Sequence, residues 1–259
     1  MLTTIAVGGS IVAAFMLVLW LIHLAMKNAS IVDVGWATSL GILAIVYAMR
    51  GPGLPTRSWI IAAMVTVWAF RLAAHLLMRI IGEPEEGRYV QLRREWKTNL
   101  GLKFLAFFEF QALLAVVLSI PFLLPTLNEA AAITKLEILA VIVWCIAIVG
   151  EGVADAQLTR FKSDPTNKGR TCRAGLWNYS RHPNYFFEWM IWVSFALYSL
   201  SSPLGWLGLI SPILILYFLF KVTGIPATEA QALRSRGDEY RNYQETTSAF
   251  FPWFPRRTT

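Results

Sequence analysis

The stretch Gly175-Leu176-Trp177-Asn178-Tyr179-Ser180-Arg181-His182-Pro183-Asn184-Tyr185-Phe186-Phe187-Glu188-Trp189 sets a polar, hydrogen-bonding segment directly against an apolar run. Pro183 suits the first position of a helix, where its missing N–H would have no partner. A helix starting there puts Asn184 and Glu188 at i and i+4, on one face. The chain then stays apolar through Leu200, so the helix enters a membrane carrying a carboxylate. A carboxylate at that depth is costly and points to a functional site.

The rest of the chain supports the membrane reading. Of 259 residues, 56% are hydrophobic, with 11 Trp and 16 Phe, too apolar for an ordinary soluble domain. The net charge is +7, which in a soluble chain would suggest a nucleic-acid partner. Here the basic residues fall in short loops between apolar runs, the pattern of membrane topology, and no nucleic-acid partner is expected. Cys145 and Cys172 form no metal spacing and read as reduced thiols without a role. The run Ile5–Met26 has no basic residue before it and no small-residue cleavage pattern, so it reads as a spanning helix and not a signal peptide.

Seven apolar runs follow one another: Ile5–Met26, Ile31–Met49, Trp59–Ile81, Leu102–Leu124, Leu136–Ala156, Asn184–Leu200 and Leu204–Val222. The expected fold is all-α, a polytopic membrane protein of seven transmembrane helices in one domain over 1–259, its motif-bearing half being 151–259. If all seven span, then of the 23 Lys and Arg only Arg50, Arg57 and Lys135 lie on one side. The richer side is cytoplasmic by the positive-inside rule, placing the N-terminus outside and the C-terminus inside. The outer loops are short turns; the inner ones, Gly82–Gly101, Gln157–Pro183 and Thr223–Thr259, are long and chemically varied. Function is therefore expected at the cytoplasmic face.

Several helices carry polar residues toward that side. Arg71, His75 and Arg79 recur every four residues below Trp68; Glu151 and Asp155 are i and i+4; Asp33 lies about one turn inside the second run, near Trp36. Such stripes at similar depth would build a polar cavity open to the cytoplasm. The competing reading is a set of snorkelling side chains and interhelical ion pairs that fix the bundle. His23 reads as an interfacial or packed histidine.

The loop from Arg160 to Arg181 gathers Arg160, Lys162, Lys168, Arg170, Arg173 and Arg181, opposed only by Asp164. A cluster of this kind neutralises phosphates, and the following helix N-terminus adds an anion-binding end. Charge alone would equally serve anionic lipids. The interleaved Asn167, Trp177, Asn178, Tyr179, Ser180, His182 and Tyr185 favour a nucleotide-like cofactor, for which stacking and hydrogen bonding are useful. No GxGxxG follows a strand, which excludes a Rossmann site, and no zinc spacing occurs. In the tail, Thr228–Arg236 reads as a helix. Glu229, Tyr240 and Tyr243 suggest a lid over a cofactor, and Phe250–Phe254 an interfacial aromatic anchor.

The motif Gly175–Tyr185 with Glu188-Trp189 resembles the signature of bacterial membrane proteins related to steroid 5-alpha-reductases. The likeness extends to Ser30–Trp36, Arg71–Arg79 with Arg88-Tyr89, Glu151–Phe161 and Gly224–Tyr243. Phe187 departs from it, since relatives usually carry Gly there, and its bulk bears on the room beside Glu188. The resemblance implies seven helices and NADPH-dependent reduction of a carbon–carbon double bond conjugated to a ketone in a steroid-like lipid. It implies that Asp155, Arg181, Asn184, Tyr185, Glu229, Tyr240 and Tyr243 hold NADPH, with Arg79, Arg88 and Tyr89 contributing from the third-helix side. Lys162, Arg170, Tyr179 and His182 of the basic loop join this cofactor set. Asp33 falls near the acidic residue that faces the substrate ketone in animal relatives.

That chemistry is physically coherent. Hydride addition to the β-carbon of an enone develops negative charge on the carbonyl oxygen, and a protonated acid aimed there would stabilise it. Asp33, kept neutral by apolar surroundings, is the expected donor, with His75 as a further donor or relay. Glu188 is the residue of the opening stretch expected to reach the reacting centre. Trp36 and Trp68 would flank a flat lipid skeleton. The expected location is the bacterial inner membrane, with the lipid arriving through the bilayer and no obligatory protein partner. The alternative enzyme is an S-adenosylmethionine-dependent methyltransferase of the isoprenylcysteine or phospholipid type, which also carries Arg-His-Pro-x-Tyr before a membrane helix. The basic cluster separates the two, because NADPH brings phosphate charges that S-adenosylmethionine lacks. A third reading is a non-enzymatic lipid-binding or scaffold protein.

Overall fold

A computed structural model describes residues 1–222 and 224–256, and every regular element among them is helical. Its α-helices are α1 (Leu2–Met26), α2 (Ile31–Arg50), α3 (Pro55–Ile80), α4 (Gly87–Trp96), α5 (Leu100–Leu118), α6 (Ile120–Thr126), α7 (Lys135–Ser163), α8 (Pro183–Ser199), α9 (Ile210–Tyr217), α10 (Ile225–Arg236) and α11 (Asp238–Thr246). A π segment, Phe218–Val222, follows α9. The tail read as Thr223–Thr259 is described from Gly224 to Arg256; its other positions lie outside the described residues.

Six runs among the described residues are long and apolar enough to cross a bilayer: Leu2–Met26, Ile31–Arg50, Pro55–Ile80, Leu100–Leu118, Lys135–Ser163 and Gly205–Arg236. The chain is a multi-pass membrane protein. The remaining expected span corresponds to α8, whose 17 residues reach only about 26 Å at 1.5 Å per residue. The expected fourth run, Leu102–Leu124, is two helices. Pro121 has no N–H to continue the ladder, so α5 stops at Leu118 and α6 restarts at Ile120.

The chain forms two compact units. The first is Met1–Glu137 with Tyr198–Ser211; the second is Ile138–Leu197 with Pro212–Thr259. In the first, α2 packs on α3, α1 and α5. Close approach is set by small residues: a Cβ at Gly35 would strike Met16 and Leu19 of α1. The turn after α2 is tied to the chain after α6 by Gly53 N–H to Thr126 O (2.8 Å) and Leu54 N–H to Asn128 O. A Cβ at Gly51 or Gly53 would collide with that backbone, which explains Gly-Pro-Gly at this turn.

In the second unit the loop after α7 is pinned back onto that helix. Trp177 Nε1 donates to Ala154 O (2.9 Å), and Leu176 N–H donates to the Gln157 side-chain oxygen (2.9 Å). The tail is sewn to the same loop: Arg181 N–H bonds Ser248 O, Trp253 N–H bonds Tyr179 O, and Ser180 Oγ donates to Phe250 O. Phe250 is buried and packs against Phe186, Trp189, Phe220 and Phe251. This aromatic cluster docks Phe250 and Phe251 against α8. The ring of Phe187 occupies the space a Cβ on Gly150 would need, so its bulk is taken up by a notch in α7.

Candidate functional site

In the first unit, Asp33 sits in the first turn of α2 and receives two residues of α4. The Arg88 guanidinium pairs with its Oδ2, and the Tyr89 hydroxyl donates to both carboxylate oxygens, at 2.9 and 3.0 Å. Tyr89 is buried, whereas Arg88 is about half exposed. Burial first, and the adjacent Asp33 carboxylate second, push the Tyr89 phenol well above its ordinary value. It therefore remains a protonated donor at neutral pH. Asp33 was expected to be a neutral acid donating a hydrogen bond. In the structure Asp33 is flanked by a guanidinium and a phenol, and its carboxyl oxygens meet both of these donors.

Arg79 reaches the same cluster through Glu86, which pairs with Arg79 at 3.1 Å and with Arg88 Nε at 3.2 Å. His75 is exposed and lies outside it. Trp36 and Trp68 meet edge to face, centroids 6.4 Å apart, but Trp68 is completely buried. A completely buried ring has no face for a substrate, whereas Trp36 is half-buried.

In the second unit, the residues of the Arg-His-Pro-Asn-Tyr motif divide into two groups. Arg181 and His182 face inward onto Glu229 of α10. Arg181 Nε donates to its Oε1 at 2.7 Å, His182 Nε2 lies 3.2 Å from the same oxygen, and Gln244 Nε2 donates to Oε2 at 2.8 Å. Arg181 Nη1 also caps the Gln244 and Thr247 carbonyls, at 2.9 and 2.6 Å. With its side chain only 10% exposed and these partners in place, Arg181 clamps the tail. It was expected among the phosphate-binding cations, and the structure makes it a framework residue instead. His182 does the same and stacks on Tyr185, planes 5° apart.

Asn184 and Tyr185 form the other group, half-buried at the N-terminus of α8. Asn184 Nδ2 is 3.3 Å from Asp155 Oδ1, and Tyr185 hydroxyl is 3.3 Å from Thr228 Oγ1. Glu188, one turn further, accepts from Trp192 Nε1 at 3.0 Å. Lys162 and Arg170 are exposed, together with Arg160 and Lys168. The single acid of their loop, Asp164, is occupied by the N–H and hydroxyl of Thr166, which hold its carboxyl below the usual range. Tyr179 is exposed and edge-packed on Phe254.

Tyr240 and Tyr243 do not present themselves as a lid. Both are buried with Ala232 and Leu233 in a small core of their own, and the Tyr243 hydroxyl donates to the carbonyls of Trp177 and Ser180. The Tyr243 hydroxyl is thus spent on holding α11 to the loop, and the Tyr240 ring packs against the Tyr243 ring. An open cleft of about 460 Å3 lies beside Arg181, lined also by Gln244, Thr247, Phe251, Trp253 and Arg256. Asn184, Tyr185 and Asp155 do not line it, so it is not the space in front of α8.

Glu86, Gln244 and Thr228 were not singled out from the sequence. Gln244 and Thr228 meet Glu229 and Tyr185 across other elements, and Glu86, just ahead of the Gly-Arg-Tyr segment, meets Arg79 and Arg88.

Residues 19–247 match the family described as "Protein of unknown function (DUF1295)". The chain belongs to that family. It is similar to an uncharacterized protein of Schizosaccharomyces pombe, C594.04c, at 26% identity over 270 aligned positions, covering 91% of this chain and 76% of that protein. No solved structure matches significantly. The DUF1295 match takes in both clusters, from Asp33 through Tyr243.

Proposed function

We propose that this DUF1295 chain is an NADPH-dependent membrane reductase, of the steroid 5-alpha-reductase type, that saturates the double bond of a 3-keto-4-ene steroid or similar enone lipid. The observation that carries the reading is the Asp33–Tyr89–Arg88 cluster: a phenol locked as a donor beside a carboxylate and a guanidinium, at the end of an apolar helix. Of these groups, the phenol and the guanidinium are the donors a developing enolate oxygen calls for.

The cationic loop supports the cofactor. Arg160, Lys162, Lys168 and Arg170 are exposed, and the only acid among them is already internally satisfied, so the loop suits a polyphosphate ligand. Asn184, Asp155 and Tyr185 at the α8 N-terminus are the hydrogen-bonding residues that would hold it; Arg181, His182 and Glu229 would keep their backbone in place. NADPH, when bound, supplies a hydride for the β-carbon of the enone. To donate toward the carbonyl oxygen of the substrate, Tyr89 would turn its one O–H from Asp33 to that oxygen, leaving Arg88 as the partner of Asp33. Arg88 pairs with Asp33 and holds the carboxyl beside the phenol. Trp36 offers an apolar ring face to the lipid.

In this reading α8 completes seven spans despite its length, the N-terminus is outside, and the basic loops face the cytoplasm of a bacterium across its inner membrane. The competing S-adenosylmethionine-dependent methyltransferase shares the Arg-His-Pro-x-Tyr motif. The exposed cations favour NADPH over it, because S-adenosylmethionine carries no phosphate. The test is thermal stabilisation of the purified protein by NADPH, NADH and S-adenosylmethionine, followed by NADPH oxidation with a 3-keto-4-ene steroid. Stabilisation by S-adenosylmethionine alone would sink the reductase reading.

A further inference from the structure

The linker before α4 carries a second charged cluster, next to the first but separate in its partners. Glu85 makes three hydrogen bonds with its carboxylate. Oε1 accepts the Ala29 N–H at 2.6 Å and Arg93 Nη2 at 3.0 Å; Oε2 accepts Arg93 Nε at 2.8 Å. The two Arg93 bonds form a fork, which fixes direction as well as distance. Arg93 Nη2 is also 3.0 Å from His23 Nε2. An arginine only donates, so that nitrogen accepts and His23 is held as the neutral ring. His23 is 2% exposed and lies between Phe104 and Phe108, while the Arg93 guanidinium covers the Phe104 ring at 4.7 Å. Glu85 is itself only 10% exposed.

The positions of these contacts matter more than their number. Ala29 lies just ahead of α2, whose first turn carries Asp33. Arg93 lies one turn along α4 from Tyr89, at i+4, so both project from one face of that helix. One carboxylate thus grips both ends of the Tyr89–Asp33 hydrogen bond: the α2 end through Ala29 and the α4 end through Arg93. The neighbouring Glu86 N–H, which donates to Ser30 Oγ at 3.1 Å, repeats the tie in the same direction. A 10-residue helix with a polar composition has little intrinsic stability, so without such a bracket its rotation about its own axis would not be defined.

We infer that Glu85, acting through Ala29 and Arg93, is a positioning residue that sets the Tyr89 hydroxyl against Asp33. The inference rests on the proposed role of Tyr89 and Asp33, but its geometric part is testable without turnover. In detergent-solubilised full-length protein, Glu85→Ala is expected to raise amide hydrogen exchange in two separate segments, Ala29–Asp33 and Arg88–Arg93. Unchanged exchange in Ala29–Asp33 overturns the bracket. With NADPH and a 3-keto-4-ene steroid, Glu85→Ala is expected to lower kcat by about 10²-fold, the scale of an ångström of misplacement, with the KM for NADPH unchanged. In a Tyr89→Phe background the same substitution should lower kcat no further; a second drop there means that Glu85 does not act through Tyr89. Glu85→Gln keeps an oxygen for the Ala29 N–H but replaces the charged fork. It should open only the α4 segment, and it carries the comparison if Glu85→Ala does not fold. If the wild-type protein oxidises no NADPH with the enone, the reductase reading has failed, and the bracket stands or falls on the exchange measurement alone.

Discussion

Arg57 Nε and Glu137 Oε1 lie 2.5 Å apart, and neither side chain is exposed. Arg57 spends its remaining donors on the carbonyls of Asn128, Ala130 and Ala132, and Glu137 Oε2 accepts the Thr134 N–H at 2.7 Å. The loop between α6 and α7 is therefore wrapped around one guanidinium. Removing either partner leaves the other charge buried without compensation, which costs about 3–5 kcal/mol. Glu137→Ala and Arg57→Ala should each lower the melting temperature sharply, while a double Arg57→Met, Glu137→Leu variant should be less destabilised than either. A double variant that melts at the sum of the two single losses would show that the pair is not coupled.

Gly150 and Phe187 give a packing test with a change of sign. Gly150→Ala should gain about 1 kcal/mol of helix propensity in α7. Against that, its methyl would fall on the Phe187 ring, and overpacking costs about 1–3 kcal/mol. The clash should win, so Gly150→Ala is destabilising in the wild-type background. With Phe187→Ala already in place the space is open, and the same substitution should become stabilising. Thermal denaturation of the four proteins of this cycle checks it; equal effects in both backgrounds would mean that Phe187 does not set the space at Gly150.

What could be read from the chain, and what could not, follows the range of the interactions. Helices α1, α2, α3 and α7 and the start of α8 at Pro183 rest on apolar runs and a local proline, so they are visible in order along the sequence. Helix α4 was hidden inside the loop Gly82–Gly101 because its residues are mostly polar; it is held by rings, Tyr89 on Phe107 and Trp96 on Phe104 and Phe107. The role of Arg181 was misjudged because a basic loop looks alike whether its cations face a ligand or a carbonyl; its partners lie in α10 and after α11. Arg57 counted as a stray outer charge for the same reason, since its partner is in another helix. Charge and spacing select residues that matter, but which way each one turns depends on contacts distant in sequence.

The tail core should respond to alkali. The Tyr240 phenol is pushed up to about 12, by burial first and then by the Glu229 carboxylate, and Tyr243 is raised as well. An unfolded tyrosine titrates near 10. A group whose folded value is raised contributes stability that is complete below the unfolded value and lost as pH climbs through the folded one. Helix α11 should therefore stay docked up to about pH 10 and come free as pH approaches about 12. Phenolate absorbance together with protease sensitivity of the tail reports it. Cleavage that sets in well below pH 10 would point to a different latch.

Cys172 is buried in the loop ahead of the motif, and burial raises its thiol above the ordinary range, with the Ala174 N–H and Lys162 opposing. Fewer thiolates at neutral pH and little access both slow alkylation. Iodoacetamide should label Cys172 slowly in the folded protein and quickly once the tail is released, as in Arg181→Ala, where the clamp on the Gln244 and Thr247 carbonyls is gone. Mass spectrometry of the peptide carrying Cys172 measures this, and equal labelling of wild type and variant would mean that the clamp does not hold the loop.

Proton donation and cofactor binding in the proposed reductase should respond to different substitutions. Tyr89→Phe removes one hydroxyl and keeps the ring packed on Phe107, so folding should be little affected. Asp33 would lose its phenol donor but keep Arg88. If Tyr89 is the proton donor, kcat should fall by about 10²–10³-fold, the loss seen when one donor to a developing oxyanion is removed. The apparent affinity for NADPH, read from thermal stabilisation, should stay within about twofold, because none of the residues assigned to the cofactor touches Tyr89 in its own unit except Arg88. Asp33→Ala should lose turnover to a similar extent with the cofactor still bound, since an unanchored phenol is present but not aimed. Asn184→Ala should do the reverse, weakening stabilisation by NADPH before it changes kcat at saturating cofactor. A Tyr89→Phe protein that loses NADPH binding along with turnover would place Tyr89 in the cofactor site and leave the proton donor to be found elsewhere.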